Sequence, residues 1–228
     1  MALALFDLDN TLLAGDSDYL WGCFLVEQGI VDGPTYEAEN KKFYEDYDRG
    51  ILDIDAYLNF QLAVLARFDL PTLHHWRARF MTEKVEPIIA PGTPDLLHLH
   101  RQRRDTLIII TATNRFVTEP IAQRLGVEHL LATEVELDGH RFTGRARGIP
   151  CFREGKVTRL RQWMEEHQET LEDSWFYSDS LNDIPLLEQV SHPRVVDPTP
   201  RFHAMAQERG WVTMTLRGTA SVEAPGPP

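Results

Sequence analysis

Cysteine is scarce: Cys23 and Cys151 are the only two in 228 residues, and they form neither a CxxC nor a CxxH arrangement. A disulfide-stapled scaffold is therefore excluded, and a reducing cytoplasm is the expected compartment. Basic residues are also few, 23 against 35 acidic ones for a net charge of −12, and the densest basic run is Arg101, Arg103 and Arg104. Such a surface repels phosphodiester backbones, so no nucleic-acid partner is expected. No apolar run is long enough to span a bilayer, and Asp7 breaks the N-terminal one before a signal sequence could develop. The expectation is a soluble cytoplasmic protein with no membrane partner, either monomer or homodimer.

What is present suffices for a full core, with 43% apolar and 10% aromatic residues. Four short apolar runs read as buried strands: Leu3 to Phe6, Thr106 to Ile110, Ser174 to Tyr177 and Arg194 to Val196. Val117, Ile121 and Leu125, stopped by Gly126, carry a helical period, as do Val157, Leu160 and Met164. Strands alternating with helices predict an α/β fold, a doubly wound Rossmann-like parallel sheet whose chemistry sits past the carboxyl ends of the strands.

Residues 16–87 are too many for one crossover helix, and they hold 12 of the 22 aromatics. They predict an inserted α-helical cap with its own small core, with the aromatics serving chiefly in packing. The α/β core then comprises 1–15 and 88–217, and 218–228 is a flexible tail, with fraying expected from Arg217 onward. Asp138-Gly139, within 132–148, signals a hairpin turn and a projecting two-stranded flap.

The first strand runs into Asp7-Leu8-Asp9-Asn10-Thr11. In extended chain Asp7 and Asp9 point the same way, and their mutual repulsion calls for a cation or a shared proton. Mg²⁺ suits this, because it keeps several waters and needs only one or two carboxylates plus substrate phosphate. An EF-hand is excluded, since the sixth position is Leu12 rather than Gly and the twelfth is Asp18 rather than Glu. The Ser174 strand ends at Asp179-Ser180-Leu181-Asn182-Asp183, followed by Pro185 at the start of a helix. Asp179 can complete an oxygen cage with Asp7; Asp179 or Asn182 can instead simply cap that helix. Thr111-Ala112-Thr113 offers a hydroxyl and backbone amides to a phosphate oxygen. Lys156 opens a helix, where a cation opposes the dipole, so it reads either as the partner of an anion or as a solvated surface residue. The paired histidines, His74-His75 and His98 with His100, are read as surface residues, and Trp163, Trp175 and Trp211 as packing.

Taken together, DLDNT at 7–11, Thr111 after an Ile-rich strand, Lys156 and DSLND at 179–183 resemble the haloacid dehalogenase superfamily of phosphohydrolases. The cap position, Ala90-Pro91-Gly92, and Thr143-Gly144 ahead of the lysine resemble the branch containing phosphoserine phosphatase. The resemblance implies a phosphomonoesterase with Asp7 as nucleophile and Asp9 as general acid and base. It implies Thr111 and Lys156 on the phosphoryl oxygens, and Mg²⁺ held by Asp7, the Asp9 carbonyl and Asp179, supported by Asn182 and Asp183. Dehalogenases of the superfamily lack an acid at the Asp9 position, which favours phosphoryl transfer. For substrate binding it implies Asp16, Thr111, Ala112, Lys156 and Asn182, with Arg67 in the stretch where a substrate carboxylate is met. Asp16 stands where the branch has a Glu for the substrate amine, and Thr111-Ala112-Thr113 replaces Ser-Gly-Gly. The expected substrate is a small amine-bearing phosphomonoester, phosphoserine-like or histidinol-phosphate-like, and an acidic pocket around Asp16 and Asp18 with Tyr19 and Trp21 as aromatic neighbours suits an amine next to a ring. Alternatives are a phosphotransferase or mutase using the same aspartyl phosphate, or a non-catalytic phosphate-ligand-binding protein.

Overall fold

The computed structural model describes residues 2–218. Strand β1 (Leu3–Phe6) leads into helices α1 (Ser17–Glu27), α2 (Gly33–Asp48), α3 (Ile54–Leu65), α4 (Leu70–Phe80) and α5 (Thr93–Arg103). There follow β2 (Thr106–Asn114), α6 (Arg115–Leu125), β3 (His129–Asp138), β4 (Arg141–Arg147) and α7 (Glu154–His167). The chain continues through β5 (Trp175–Ser178), α8 (Ile184–Leu187), β6 (His192–Val196), α9 (Pro200–Glu208) and β7 (Val212–Met214).

The strands form one sheet in the order β4-β3-β2-β1-β5-β6-β7, parallel throughout except between β3 and β4. All four residues of β1 are buried because helices cover both faces. Alternation sorts them: Leu3 and Leu5 face one core with Ile108, Ile110 and Phe176, while Ala4 and Phe6 face the other with Ile109 and Tyr177. Phe6 is in register with Ile109 on one side and Tyr177 on the other. The residues just beyond these three positions therefore emerge together at one edge of the sheet.

All four helices α1–α4 start on an aspartate, and three of those side chains make the capping bond. Asp16 accepts from the Tyr19 amide, Asp53 from the Asp55 and Ala56 amides, and Asp69 from the Thr72 amide. The separate small core expected there is not formed. Trp21, Phe24, Leu62, Leu73 and Phe80 join Phe6, Ile109 and Val117 in one continuous apolar cluster. Four short helices bury too little apolar surface alone, so they share the face of the sheet.

Other expectations are also corrected. The Thr106 strand extends to Asn114, with a register shift between Ile110 and Asn114, and β7 carried too weak a pattern in sequence to be foreseen. The hairpin does turn at Asp138-Gly139, but it does not project: the first part of β3 pairs with β2, and β4 lies against α3. Its Gly144, at φ +82°, is so close to α3 that a Cβ would sit 3.2 Å from the Ala66 Cβ. His100 is not a surface residue; its ring nitrogens lie 2.8 Å from Asp105 and 2.9 Å from the Tyr177 hydroxyl, inside the core. Arg217 is anchored, facing Asp197 and donating to the Asn10 carbonyl, while residues 219–228 lie outside the described part. No helix among the described residues is long and apolar enough to cross a membrane.

Candidate active site

The Asp7 amide donates to the Tyr177 carbonyl at 2.9 Å, extending the β1–β5 ladder by one residue and fixing the backbone at the sheet edge. The chain then turns sharply through Leu8–Leu12, with Asn10 at φ 57°, a conformation asparagine tolerates well. That turn brings Thr11 against Asp179: the Thr11 hydroxyl donates to Asp179 Oδ1 at 2.9 Å and accepts from the Asp179 amide at 3.1 Å. The two acidic segments, 168 residues apart, are thereby joined by a reciprocal pair of bonds.

Lys156 is not a solvated residue. It is 1% exposed, and its Nζ donates to Asp7 Oδ1 and Asp183 Oδ2, each at 2.8 Å. Asp183 is held in turn by the Ser178 hydroxyl at 2.6 Å. Burial alone lowers the pKa of a lysine, but the Asp183 and Asp7 carboxylates outweigh it and hold Lys156 above its ordinary value. The other oxygen of Asp7, Oδ2, is buried without a hydrogen-bond partner among the described residues. Burial, opposed by Lys156 and reinforced by Asp183 and Asp9, pushes the Asp7 pKa up to about 7.

Asp9 is held at both oxygens, Oδ1 by the Ser17 amide at 2.6 Å and Oδ2 by the Thr113 hydroxyl at 2.8 Å. Burial raises its pKa, and these bonds with Lys156 limit the rise. The Thr111 hydroxyl, also buried, accepts from the Thr113 amide at 3.2 Å. Asp7, Asp9, Asp16, Thr111 and Ala112 all line one cleft of about 510 Å³, mouth included, with Asp18 and five aromatic side chains opposite them. Asp179 opens onto an adjoining hollow beside Asn10, Tyr44 and Tyr47.

Two expected residues are placed differently. Asn182 turns away from the cleft: its Nδ2 donates to the Tyr47 carbonyl and its Oδ1 accepts from Arg153 Nε, both at 3.1 Å. The local cap is Ser180, which accepts from the Asn182 amide, rather than Asp179 or Asn182. Arg67 is exposed, packs over Phe68 and does not line the cleft. Asp16, Asp18 and Tyr19 line the cleft as expected, whereas Trp21 is buried in the apolar core and does not; sequence reasoning missed Thr113 as the clamp on Asp9 and missed Arg153, neither of which carried a signal along the chain.

Among the described residues no three His, Cys, Asp or Glu side chains converge as a ready metal cage. The donors at the sheet edge are hard oxygens, the Asp7 and Asp179 carboxylates and backbone carbonyls. Burial, and then the charge of Asp7, push Asp179 well above the usual carboxylate range. An orphaned Asp7 oxygen beside a second carboxylate is a place short of positive charge, and two carboxylates suffice for a cation that keeps its waters. The donor set fits Mg²⁺.

This sheet and this edge define a hydrolase of the haloacid dehalogenase type, and the chain belongs to that family: residues 4–188 match the haloacid dehalogenase-like hydrolases. It is an enzyme, a phosphatase of that family. It is similar to a histidinol-phosphatase of Neisseria meningitidis serogroup C (strain 8013), 43% identical over 220 residues, covering 94% of this chain and 99% of the relative. A protein of unknown function from Bordetella pertussis Tohama I has a similar solved structure, at 42% identity and TM-score 0.88, covering 94% and 98% of the two chains. A phospho-aspartyl intermediate analogue of phosphoserine phosphatase shares the fold at 16% identity and TM-score 0.70, covering 95% and 93%.

Proposed function

We propose that the protein is a Mg²⁺-dependent phosphomonoesterase of the cytoplasm acting on a small amine-bearing metabolite, histidinol-phosphate-like rather than phosphoserine-like. The observation that carries this reading is Asp7, pinned through one oxygen by Lys156 and free at the other, on the wall of a cleft lined by acids and aromatics. A phosphoserine carboxylate would need a cation of its own, and among the described residues no Lys or Arg lines that cleft, Lys156 standing behind Asp7. Residues 16–87 act as the cap over the core formed by 1–15 and 88–217.

Asp7 attacks phosphorus, the bond from phosphorus to the ester oxygen breaks, and Asp9 gives its proton to the departing alkoxide. Asp9 then takes a proton from water, which attacks the aspartyl phosphate, releasing inorganic phosphate and restoring the Asp7 carboxylate. A raised Asp9 pKa supports a proton being present for the first step. Thr111 and Lys156 hold the phosphoryl oxygens, and Asp183 with Ser178 keeps Lys156 in place. Asp7, Asp179 and the Asp9 carbonyl would hold Mg²⁺, which offsets negative charge on the phosphoryl group; Asn182 and Asp183 steady the surrounding loop.

Phosphate release from a panel of phosphorylated metabolites, assayed with Mg²⁺ and with EDTA, tests the reading. Asp7→Asn is expected to abolish turnover, and Asp9→Asn to slow it by roughly 10²-fold to 10⁴-fold with phosphoenzyme accumulating. Full activity in Asp7→Asn, or release that survives thorough metal removal, overturns it.

A further inference from the structure

The cleft contains more negative charge than the reaction centre uses. Lys156 is committed to Asp7 and Asp183, and among the described residues no Lys, Arg or His lines the cleft. Asp16 and Asp18 therefore face the cavity with no countercharge on its walls, and Asp18 is only 3% exposed. A buried carboxylate without a cation is expensive to maintain unless a ligand supplies one. The orphaned Oδ2 of Asp7 in the same cleft also points to an absent ligand.

Asp18 is nonetheless built to stay in place. Its Oδ2 accepts from the Tyr57 hydroxyl at 2.6 Å, and the Asn114 amide nitrogen lies 3.4 Å from Oδ1. Behind Tyr57, the Gln61 amide donates to the Tyr57 hydroxyl at 3.2 Å and to Asn40 Oδ1 at 3.1 Å, while its Oε1 accepts from Tyr36 at 3.0 Å. The chain is directional: with Gln61 donating to it, the Tyr57 hydroxyl gives its own proton to Asp18, which keeps the carboxylate an acceptor. The wall around it is aromatic, with Phe43 and Tyr57 rings 5.4 Å apart and Tyr19 and Tyr44 rings 5.1 Å apart. Asp16 and Asp18 flank Ser17, whose amide holds Asp9, and Asp18 is the one tied to α3 through Tyr57.

Building on the phosphomonoesterase reading above, we propose that Asp18 is a specificity residue. Its carboxylate receives a protonated nitrogen heteroaromatic ring at the end of the substrate remote from phosphorus, while Asp16 receives the ammonium group. The acid accounts for the ring nitrogen, and the aromatic walls account for its flat shape.

The test compares histidinol phosphate with p-nitrophenyl phosphate in Asp18→Asn, which keeps an acceptor for Tyr57 and removes the charge. The ratio of kcat/KM between the two esters is expected to fall roughly tenfold to a hundredfold, mainly through KM. Tyr57→Phe should move the ratio the same way by a smaller factor. A ratio within about twofold of the unmodified enzyme overturns the assignment, including the case where both esters lose activity equally. In the unmodified protein, histidinol should bind more tightly than phenylalaninol, whose ring carries no nitrogen; equal affinities by calorimetry overturn it too. Absence of turnover with every ester would sink the parent reading instead, and the calorimetric comparison would still decide the role of Asp18.

Discussion

At the scale of single residues, Lys156 is the most exacting position in the chain. It places one positive charge between two buried carboxylates, and among the described residues no other Lys or Arg pairs with either of them. Lys156→Met should abolish phosphate release and lower stability by about 3–5 kcal/mol, because it leaves Asp7 and Asp183 buried without a cation; urea denaturation checks the second figure. His100 makes a pH-dependent contribution remote from the cleft. Burial lowers its pKa from the ordinary 6.5, against the opposing bond to Asp105. The unfolded chain therefore binds a proton that the folded chain refuses. The stability this contributes is complete above about pH 6.5 and is lost as pH falls below it. His100→Asn should flatten that acid-side slope in a series of thermal melts taken from pH 7 downward. Neither environment could be read from the residue itself, since Lys156 in sequence is only a lysine near a helix start and His100 only one of nine histidines.

At the scale of elements, the turn after β1 and the hairpin do the positioning. Strand period and helical period identified β1, α6 and α7 because each buries a regular stripe against the sheet. The path of β4 was illegible. Its residues alternate without being strongly apolar, and it is placed by close contact with α3. That contact requires Gly144: a side chain would combine a φ of +82° with neighbours at 3.2 Å in Ala66 and 3.4 Å at the Ala63 Cα. Gly144→Ala should cost about 1–3 kcal/mol. Amide exchange protection should fall in β4 and α3 while β1 keeps its own.

At the scale of the whole molecule, the helical segment is fastened to the sheet by more than the contact of α3 with β4. One further attachment is the apolar face shared by Trp21, Phe80 and Ile109. Another is a polar clasp at the end of α2, where Asn182 donates to the Tyr47 carbonyl and Arg153 donates to both Asn182 and the Gly50 carbonyl. Arg153 stands at φ 49°, a strained conformation held by these bonds. Arg153→Ala should free this end of α2, seen as faster amide exchange over residues 44–52 and cleavage near the exposed Ile51 at lower protease concentration. Unchanged exchange there would show that the Arg153 clasp does not hold this end of α2 in place.

The sequence by itself determined the alternation of strand and helix and the identity of the acids at the sheet edge. Both follow from local periodicity and from the short-range rule that strand ends present their polar residues together. Only the tertiary structure decided that Lys156 is buried, that Asn182 clasps α2 instead of facing the cleft, and that the pocket of Asp16 and Asp18 is lined by no countercharge among the described residues. Such outcomes depend on partners far away in the chain, as with the 149 residues separating Lys156 from Asp7. Packing and charge compensation at that range leave no pattern along the chain.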